Sequence, residues 1–258
     1  MQNLKTTWQH KPTLAGWLHL GHPFVAELMA AAGFEVLVAD HQHAPFGLER
    51  ALELVMTTSR TTAAPFVRVS WNDPAEMMKF LDAGALGIIC PMINNRAQAE
   101  DFVAACRYPP RGIRSFGPTR AGLLYGTDYA EHADERVITM AMIETKSGVE
   151  NLDEILSVPE LDGIFVGPSD LNQSLGNRAK LDSLDLDFLQ LLEQIAQKTT
   201  QAGKVAGLFC GSSQYALRMQ SLGYTFLVLS SDSRLLTAVA KQTLEAFRQG
   251  TSLESGGY

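Results

Sequence analysis

The chain has 258 residues, of which 46% are hydrophobic and 19% are charged, a composition that excludes a disordered or fibrous protein. It carries 21 Lys and Arg against 28 Asp and Glu, and it has no basic run, which excludes the electrostatic footprint of most nucleic-acid-binding proteins. Its apolar runs are far shorter than the roughly 20 residues of a membrane-spanning helix, so we expect neither a nucleic acid nor a membrane as partner.

The cysteines and the N-terminus indicate a cellular compartment. Cys90, Cys106 and Cys210 lie far apart in the chain, which favours neither a disulfide framework nor a zinc ribbon. The first residues lack the apolar stretch that a signal peptide needs. We therefore expect a protein of the reducing cytoplasm.

Short apolar runs alternate with amphipathic stretches, as parallel strands alternate with helices in α/β proteins. The predicted strands cover residues 14–20, 35–40, 65–70, 87–91, 137–144, 163–167, 204–209 and 225–230. The predicted helices cover residues 23–32, 48–60, 75–83, 96–107, 148–157, 188–202, 213–222 and 234–248. This count predicts a single domain, residues 1–258, folded as a (β/α)8 TIM barrel. The alternative, an open doubly wound sheet, is disfavoured because its Gly-rich turn is absent after the first strand.

Residues 108–132 form a long connection that is rich in Pro and Gly. Connections of that length inside a compact domain are usually functional or disordered. We expect this segment on the active-site side of the barrel, where Arg111, Arg114 and Arg120 would make it a lid or an inter-subunit contact. A solvated charged loop is the alternative.

Two carboxylates follow adjacent predicted strands, Glu144 after the fifth and Asp170 after the sixth. The active site of a barrel lies at the carboxyl ends of its strands, so these two side chains would converge on one point. Hard oxygen ligands with open coordination positions suit Mg²⁺ or Mn²⁺. Each carboxylate also precedes a predicted helix, so the alternative is that both are helix N-caps.

Histidines are concentrated near the N-terminus, and two of them, His41 and His43, follow the second predicted strand. No partner completes a zinc motif, so zinc bound by histidine is disfavoured. A neutral imidazole beside a bound substrate is instead a candidate general base, and a carboxylate such as Asp82 would orient it. Arg68, on the third strand, would either pair with a carboxylate in the barrel mouth or stabilise a developing enolate oxygen.

A lysine that forms an imine with a carbonyl substrate is the rival chemistry for such a barrel. Lys146 is the lysine closest in sequence to the carboxyl end of a predicted strand, whereas Lys204 stands at the entry of the seventh. A solvated lysine in the first turn of a helix is the simpler interpretation of Lys146.

Six sequence runs together resemble the hydroxy-oxo-acid aldolases, a family of metal-dependent pyruvate aldolases typified by 4-hydroxy-2-oxoheptanedioate aldolase. The runs are FEVLVADHQHAP at 34–45, VRVSWNDP at 67–74, LDAGA at 81–85, RYPPRG at 107–112, MIET at 142–145 and GIFVGPSDL at 163–171. The resemblance extends from about Trp17 to the last helix. It implies a (β/α)8 barrel that makes or breaks a carbon–carbon bond between pyruvate and an aldehyde.

The resemblance also implies roles for individual residues. It makes Glu144 and Asp170 the ligands of a divalent metal ion (Mg, Mn or Co), with no organic cofactor, and His43 the base. Asp82 would raise the basicity of that histidine, and Arg68 would stabilise the enolate. The backbone N–H groups of Ser169 and Asp170 would bind the pyruvate carboxylate at the start of a helix.

This chain departs from the family pattern at two places. His41 and Gln42 replace the Gly-Glu pair before the base histidine, and Met142 replaces a Gln two residues before the metal-binding Glu. These differences change the hydrogen bonding expected around pyruvate and its acceptor, so the resemblance does not identify the substrate of this chain. Gln42 and Trp17 are candidate substrate-binding residues, although a barrel-core role fits Trp17 equally well.

The resemblance further implies a homohexamer, a trimer of dimers that exchange the last helix, about residues 232–249. Other reactions of the same enolate remain open, namely a carboligase, an oxaloacetate decarboxylase or an acyl-CoA lyase. A barrel retained only for binding is a third possibility. The roles of Trp8 and Trp71 are not fixed by the sequence.

Overall fold

In a computed structural model of the chain, which describes Lys5 and residues 11–251, eight parallel strands close into a barrel in sequence order. Each strand pairs with the next along the chain, and β8 pairs in parallel with β1. The strands are β1 Thr13–Leu18, β2 Val36–Asp40, β3 Ala64–Arg68, β4 Gly87–Cys90, β5 Ile138–Ile143, β6 Gly163–Val166, β7 Val205–Cys210 and β8 Phe226–Ser231. The predicted TIM barrel is confirmed. Trp8 lies outside the described residues.

Helices connect the strands and pack around the barrel. They are α1 Pro23–Ala31, α2 Leu48–Thr58, α3 Pro74–Asp82, α4 Arg96–Ala105, α5 Thr119–Tyr125, α6 Tyr129–Arg136, α7 Lys146–Glu150, α8 Leu152–Leu156, α9 Pro168–Ser174, α10 Leu186–Gln201, α11 Ser213–Ser221 and α12 Asp232–Arg248. Several of them begin at side-chain caps that the sequence provides. Asn95 accepts a hydrogen bond from the N–H of Gln98 at the start of α4, and Ser212 accepts one from Tyr215 at the start of α11.

The strands divide their buried side chains between two cores, because successive residues of a strand point to opposite faces. Trp17 and Val38 lie in the barrel interior, whereas Leu37 belongs to the core between the strands and the helices. Aromatic rings fill the interior: the centroids of Trp17 and Phe165 are 5.4 Å apart. Burying each such side chain contributes roughly 1.5–3 kcal/mol, so the interior is a packed core rather than a channel.

The segment at residues 108–132 differs from its prediction. It follows α4, which runs from the carboxyl end of β4 back towards the amino ends of the strands, so the segment lies at the end of the barrel opposite the active-site face. It also contains α5 and the start of α6. Its arginines are bound within the chain: Arg114 pairs with Asp82, and Arg111 pairs with Glu160. Arg120 donates hydrogen bonds to the backbone oxygen of Ala83 and to Ser59 Oγ, at the ends of α3 and α2.

A buried arginine closes the amino end of the barrel. Arg107 is fully buried, and its guanidinium pairs with Glu160 at 3.1 Å and with Asp162 at 3.1 Å. These contacts give the RYPPRG run a structural role at the amino end of the barrel.

No helix within the described ranges is long and apolar enough to cross a membrane.

Candidate active site

The carboxyl ends of the strands surround a cavity of about 210 Å³. Trp17, Phe165 and Phe209 form much of its apolar wall. Its polar lining side chains are His19, Arg68, Ser169, Asp170 and Arg234. The structure therefore brings four of the residues that the sequence predicts, Trp17, Arg68, Ser169 and Asp170, to one site.

Arg68 is held in the cavity wall by two hydrogen bonds to Asp40. Its Nε lies 2.8 Å from Asp40 Oδ1 and its Nη2 lies 2.6 Å from Oδ2. The guanidinium also lies over the ring of Trp17, at 5.0 Å from the ring centroid. Such a bidentate pair fixes both the position and the plane of the guanidinium. The structure thus shows the pairing of Arg68 with a carboxylate, and the guanidinium lines the cavity as well. Its role towards an enolate stays a prediction.

Asp40 is fully buried at the end of β2. Burial favours the neutral carboxyl, but hydrogen bonds from His19 and Arg68, together with the charge of Arg68, hold the pKa of Asp40 well below its ordinary value. The carboxylate is therefore ionised at neutral pH. It also accepts hydrogen bonds from the N–H groups of Gln42 and His43, at 3.2 and 3.3 Å, which fixes the turn after β2.

Glu144 is buried at the end of β5, with 3% of its surface exposed. Its Oε1 accepts a hydrogen bond of 2.8 Å from the N–H of Met92, a residue in the left-handed region with φ of 57°. Burial raises the pKa of Glu144, the negative charge of Asp170 raises it further, and the Met92 bond and Arg68 oppose that rise. A metal ion bound by Glu144 and Asp170 would favour the ionised form of both carboxylates.

Asp170 and Ser169 lie in the first turn of α9, after β6. Pro168 occupies the first position of this helix, and the next N–H groups have no partner within the helix. Gly167, the N-cap, lies against Glu144: a Cβ atom at this position would be 2.6 Å from Glu144 Oε2. Any residue with a Cβ atom at position 167 would therefore displace this carboxylate oxygen, whereas glycine does not.

The N-cap interpretation of the two carboxylates is wrong. Thr145, not Glu144, is the N-cap of α7, and its side chain accepts a hydrogen bond from Gly148. Asp170 stands three residues after the N-cap of α9. Within the described residues no group of three or more His, Cys, Asp or Glu side chains could hold a metal ion. Glu144 and Asp170 form a smaller set, a pair of carboxylates whose charges interact. Two oxygen ligands that leave positions for water and substrate fit a hard cation such as Mg²⁺.

His43 is exposed on the turn that follows β2. No described residue makes a hydrogen bond or an ion pair with its imidazole, and it does not line the cavity. Gln42, next to it, has a buried Oε1 without a hydrogen-bond partner among the described residues. The structure thus places the predicted base at the mouth, beside rather than inside the cavity.

Asp82 is not brought to His43 within the chain. It is the last residue of α3, so about 13 Å of helix separates it from the carboxyl ends of the strands. Its carboxylate instead pairs with the buried Arg114, at 2.7 Å from Nη2. The role implied for Asp82 as the partner of His43 has no support in the geometry of a single chain.

A different histidine has a carboxylate partner. Nδ1 of His41 contacts Glu76 Oε1, and Glu76 Oε2 accepts a hydrogen bond of 2.5 Å from Ser70 Oγ. The ring of His41 packs edge-on against Phe80. This largely buried pair ties the turn after β2 to the start of α3, and it was not predicted from the sequence.

The structure gives no support to a lysine imine. Lys146 is exposed and faces Glu150 at 3.8 Å, and no lysine of the described residues lines the cavity. Trp17 fills the barrel interior and also walls the cavity, and its role in substrate binding stays a prediction. Trp71 has 58% of its surface exposed, and the aromatic ring over which Arg68 lies is that of Trp17.

Sequence reasoning missed Asp40 and His19 as members of the site. The sequence could have indicated Asp40, because it is a charged residue at the end of an otherwise apolar strand. His19 directly follows β1, yet its contact with Asp40 at 2.6 Å depends on the pairing of β1 with β2.

Comparison with known proteins gives a family assignment for the whole barrel. The profile of the HpcH/HpaI aldolase/citrate lyase family matches residues 14–238. A hydroxypyruvate/pyruvate aldolase of Rhizorhabdus wittichii is 40% identical over 245 residues, covering 95% of this chain and 98% of its own. A 4-hydroxy-2-oxo-heptane-1,7-dioate aldolase of Escherichia coli is 32% identical over 252 residues, covering 96% and 95%.

Solved structures share the barrel. A HpcH/HpaI aldolase/citrate lyase family protein from Burkholderia cenocepacia has a TM-score of 0.89 at 28% identity, covering 96% of this chain and 100% of its own. The citrate lyase beta subunit of M. tuberculosis, complexed with oxaloacetate and magnesium, has a TM-score of 0.60 at 15% identity, covering 88% and 95%. The second likeness shows the fold alone.

Proposed function

The chain belongs to the HpcH/HpaI aldolase/citrate lyase family, and from this premise we propose that it is a divalent-metal-dependent aldolase. The reaction is the reversible cleavage of 4-hydroxy-2-oxo acids to pyruvate and an aldehyde. The observation that carries the proposal is the cavity at the strand ends, where Arg68 and Asp170 line one small space and the buried Glu144 is close enough to Asp170 for their charges to interact.

Glu144 and Asp170 would hold the metal ion, for which Mg²⁺, Mn²⁺ and Co²⁺ are the candidates. When bound, such a cation would act as a Lewis acid towards the carboxylate and keto oxygens of pyruvate. The N–H of Met92 binds Glu144 Oε1 on one side, and Gly167, which lines the cavity, packs against its Oε2 on the other, so the carboxylate is held in place.

Arg68 would stabilise the negative charge that develops on the keto oxygen during cleavage. Its fork of donors is already oriented by Asp40, so no reorganisation is needed when the charge appears. The N–H groups of Ser169 and Asp170 would bind the carboxylate of pyruvate, since they have no partner within α9. Trp17 would pack against the bound substrate, and Gln42 Oε1 would accept a hydrogen bond near the mouth.

We retain His43 as a base of the reaction, as the resemblance implies. Cleavage requires two proton transfers, one from the hydroxyl group of the substrate and one to the carbon of the enolate. The exposed position of His43 on the turn after β2 suits exchange of protons with solvent.

We also propose that the chain assembles into a homo-oligomer, a hexamer in which dimers exchange α12. Its apolar side chains support this proposal because they remain exposed in the single chain: Leu236 by 63%, Val239 by 57%, Leu244 by 54% and Phe247 by 84%. A cytoplasmic location is part of the proposal, and the three buried, unpaired cysteines support it.

The test is pyruvate release from a panel of 4-hydroxy-2-oxo acids, coupled to lactate dehydrogenase. We expect turnover by the wild type and none by Glu144→Ala or Asp170→Ala, which should also lose bound metal. His43→Ala should lower kcat by about 10²–10⁴-fold while metal stays bound. Normal activity of Asp170→Ala would refute the assignment, and turnover of a coenzyme A ester alone would favour an acyl-CoA lyase.

A further inference from the structure

His19 combines features that none of the residues assigned so far shares. It follows β1 directly, it lines the cavity, and 32% of its side chain is exposed. Its Nε2 lies 2.6 Å from Oδ2 of Asp40. The ring therefore faces both a buried carboxylate and the space that the substrate would fill.

The Asp40 contact orients the imidazole. Asp40 also binds Arg68 through two hydrogen bonds, so its carboxylate is fixed and ionised. An ionised carboxylate accepts the proton of Nε2, which leaves Nδ1 of a neutral ring as a proton acceptor. No hydrogen bond from a described residue occupies Nδ1. A histidine whose second nitrogen is held by a carboxylate is the usual arrangement of a general base.

The backbone at this position is fixed as well. Asp232, at the start of α12, is 5% exposed and accepts hydrogen bonds from the N–H groups of His19 and Leu20, at 2.8 and 3.1 Å. It therefore ties the end of β1 to the first turn of α12. Preorganised backbone and side chain are what a group that transfers a proton requires.

We propose that His19 is a second catalytic base, which takes the proton of the C4 hydroxyl group of the substrate through Nδ1. This inference rests on the proposed aldolase function and divides its proton transfers between two histidines. Of the two, His19 lies in the cavity wall and His43 lies outside it. We therefore assign the transfer of the substrate's hydroxyl proton to His19, the histidine that lines the cavity.

The step balances within the substrate and the imidazole. The hydroxyl proton moves to Nδ1, and the electron pair of the O–H bond forms the C4=O bond of the aldehyde. The C3–C4 bond breaks, and its electron pair forms the C2=C3 bond of the pyruvate enolate, whose charge lies on the keto oxygen. A proton then adds to C3 to give pyruvate, and the proton on His19 returns to solvent. No oxidant, reductant or further reactant is needed.

The experiment compares two reactions that share the enolate. Cleavage of a 4-hydroxy-2-oxo acid requires loss of a hydroxyl proton, whereas decarboxylation of oxaloacetate gives the same enolate without one. In His19→Gln the side-chain amide still donates to Asp40 but cannot take up a proton. We expect its kcat for cleavage to fall about 100-fold or more, while decarboxylation and the exchange of pyruvate methyl protons with D₂O stay near wild type.

The matched control is His22→Asn. His22 is exposed, does not line the cavity and caps α1 through Nδ1, and asparagine is an equally good N-cap. This variant should be normal in all three assays. Equal losses of cleavage, decarboxylation and exchange in His19→Gln would show a structural role and overturn the proposal, as would unchanged cleavage.

A direct comparison with His43→Gln separates the two histidines. If His43→Gln alone loses cleavage selectively, the hydroxyl proton goes to His43 and the role of His19 is refuted. If the wild type releases no pyruvate from any hydroxy-oxo acid, the aldolase function itself fails, and the role of His19 fails with it. The two failures are distinguishable because the first leaves the wild type active.

Discussion

Asp40 and Arg68 meet through two parallel hydrogen bonds, 2.8 Å from Nε to Oδ1 and 2.6 Å from Nη2 to Oδ2, at the register pair that joins β2 to β3. Because the partners stand opposite each other at the ends of adjacent strands, the barrel itself sets their geometry. The same carboxylate binds His19. One buried charge thus orients a cation and an imidazole that both line the cavity.

Arg68→Lys should keep the positive charge but lose the planar set of guanidinium N–H donors. We expect kcat/KM for pyruvate release to fall about 10²–10³-fold, because a single ammonium group cannot bind Asp40 through two parallel bonds and still face the substrate. The matched control is Arg96→Lys, which alters an exposed arginine paired with Glu100 at 2.7 Å and should leave kcat/KM unchanged. Wild-type kcat/KM in Arg68→Lys would contradict the role of the guanidinium.

Asp40→Asn should destabilise the fold by an amount that depends on pH. The folded-state pKa of Asp40 lies below its ordinary value of 3.8, so the carboxylate stabilises the fold at pH values above 3.8. This contribution decreases as the pH falls from there towards the lower folded-state pKa. We expect a loss of about 3–5 kcal/mol in the free energy of unfolding at pH 7, and a smaller difference from wild type at pH 3.

Urea unfolding of both proteins at the two pH values checks this prediction. Asp153→Asn is the control, since Asp153 forms an exposed pair with Lys198 at 2.7 Å and should contribute little at either pH. A difference between Asp40→Asn and wild type that stays constant from pH 7 to pH 3 would show that the ionised carboxylate is not what stabilises the fold.

Gly167→Ala should weaken metal binding without straining the backbone. The φ angle of Gly167 is −92°, which alanine adopts freely, but its Cβ would lie 2.6 Å from Glu144 Oε2 and displace that oxygen. We expect the affinity for Mg²⁺, measured by titration calorimetry, to fall about 10–100-fold. Gly122→Ala, where nothing lies within 4 Å of the added atom, is the control. Equal affinities in the two variants would exclude Glu144 as a ligand.

Asp82→Asn separates two roles for this carboxylate. Within one chain it pairs with the buried Arg114, so its loss should lower the free energy of unfolding by about 1–3 kcal/mol and affect kcat little. Thermal unfolding and steady-state kinetics of the variant measure both effects. A large fall in kcat with unchanged stability would instead show that Asp82 reaches the active site of another copy of the chain.

The fold could be predicted from the sequence because each strand is a short apolar run and each helix is amphipathic. Local sequence patterns therefore determine the order of strands and helices. All eight predicted strands match a strand of the barrel. The segment at residues 108–132 could not be placed in the same way. Its helices are short, and its arginines Arg114 and Arg111 pair with Asp82 and Glu160, contacts that depend on the closed barrel.

The site was predictable to the extent that it consists of polar residues at strand ends. Arg68 and Asp170 follow that rule, and the barrel brings them to one cavity. Asp82 does not follow it, because a residue at the end of a helix lies at the other end of the barrel. The pairing of His41 with Glu76 was not predictable, since a turn and a helix start meet there only after β2 and β3 have paired.

The most direct test of the central claim is the metal dependence of pyruvate release. Wild-type enzyme is stripped with EDTA, assayed on the panel of 4-hydroxy-2-oxo acids, and assayed again after addition of Mg²⁺, Mn²⁺ or Co²⁺. We expect no release from the stripped enzyme and restored release with at least one of these ions, in the wild type but not in Glu144→Ala. Pyruvate release that persists in EDTA would contradict this expectation.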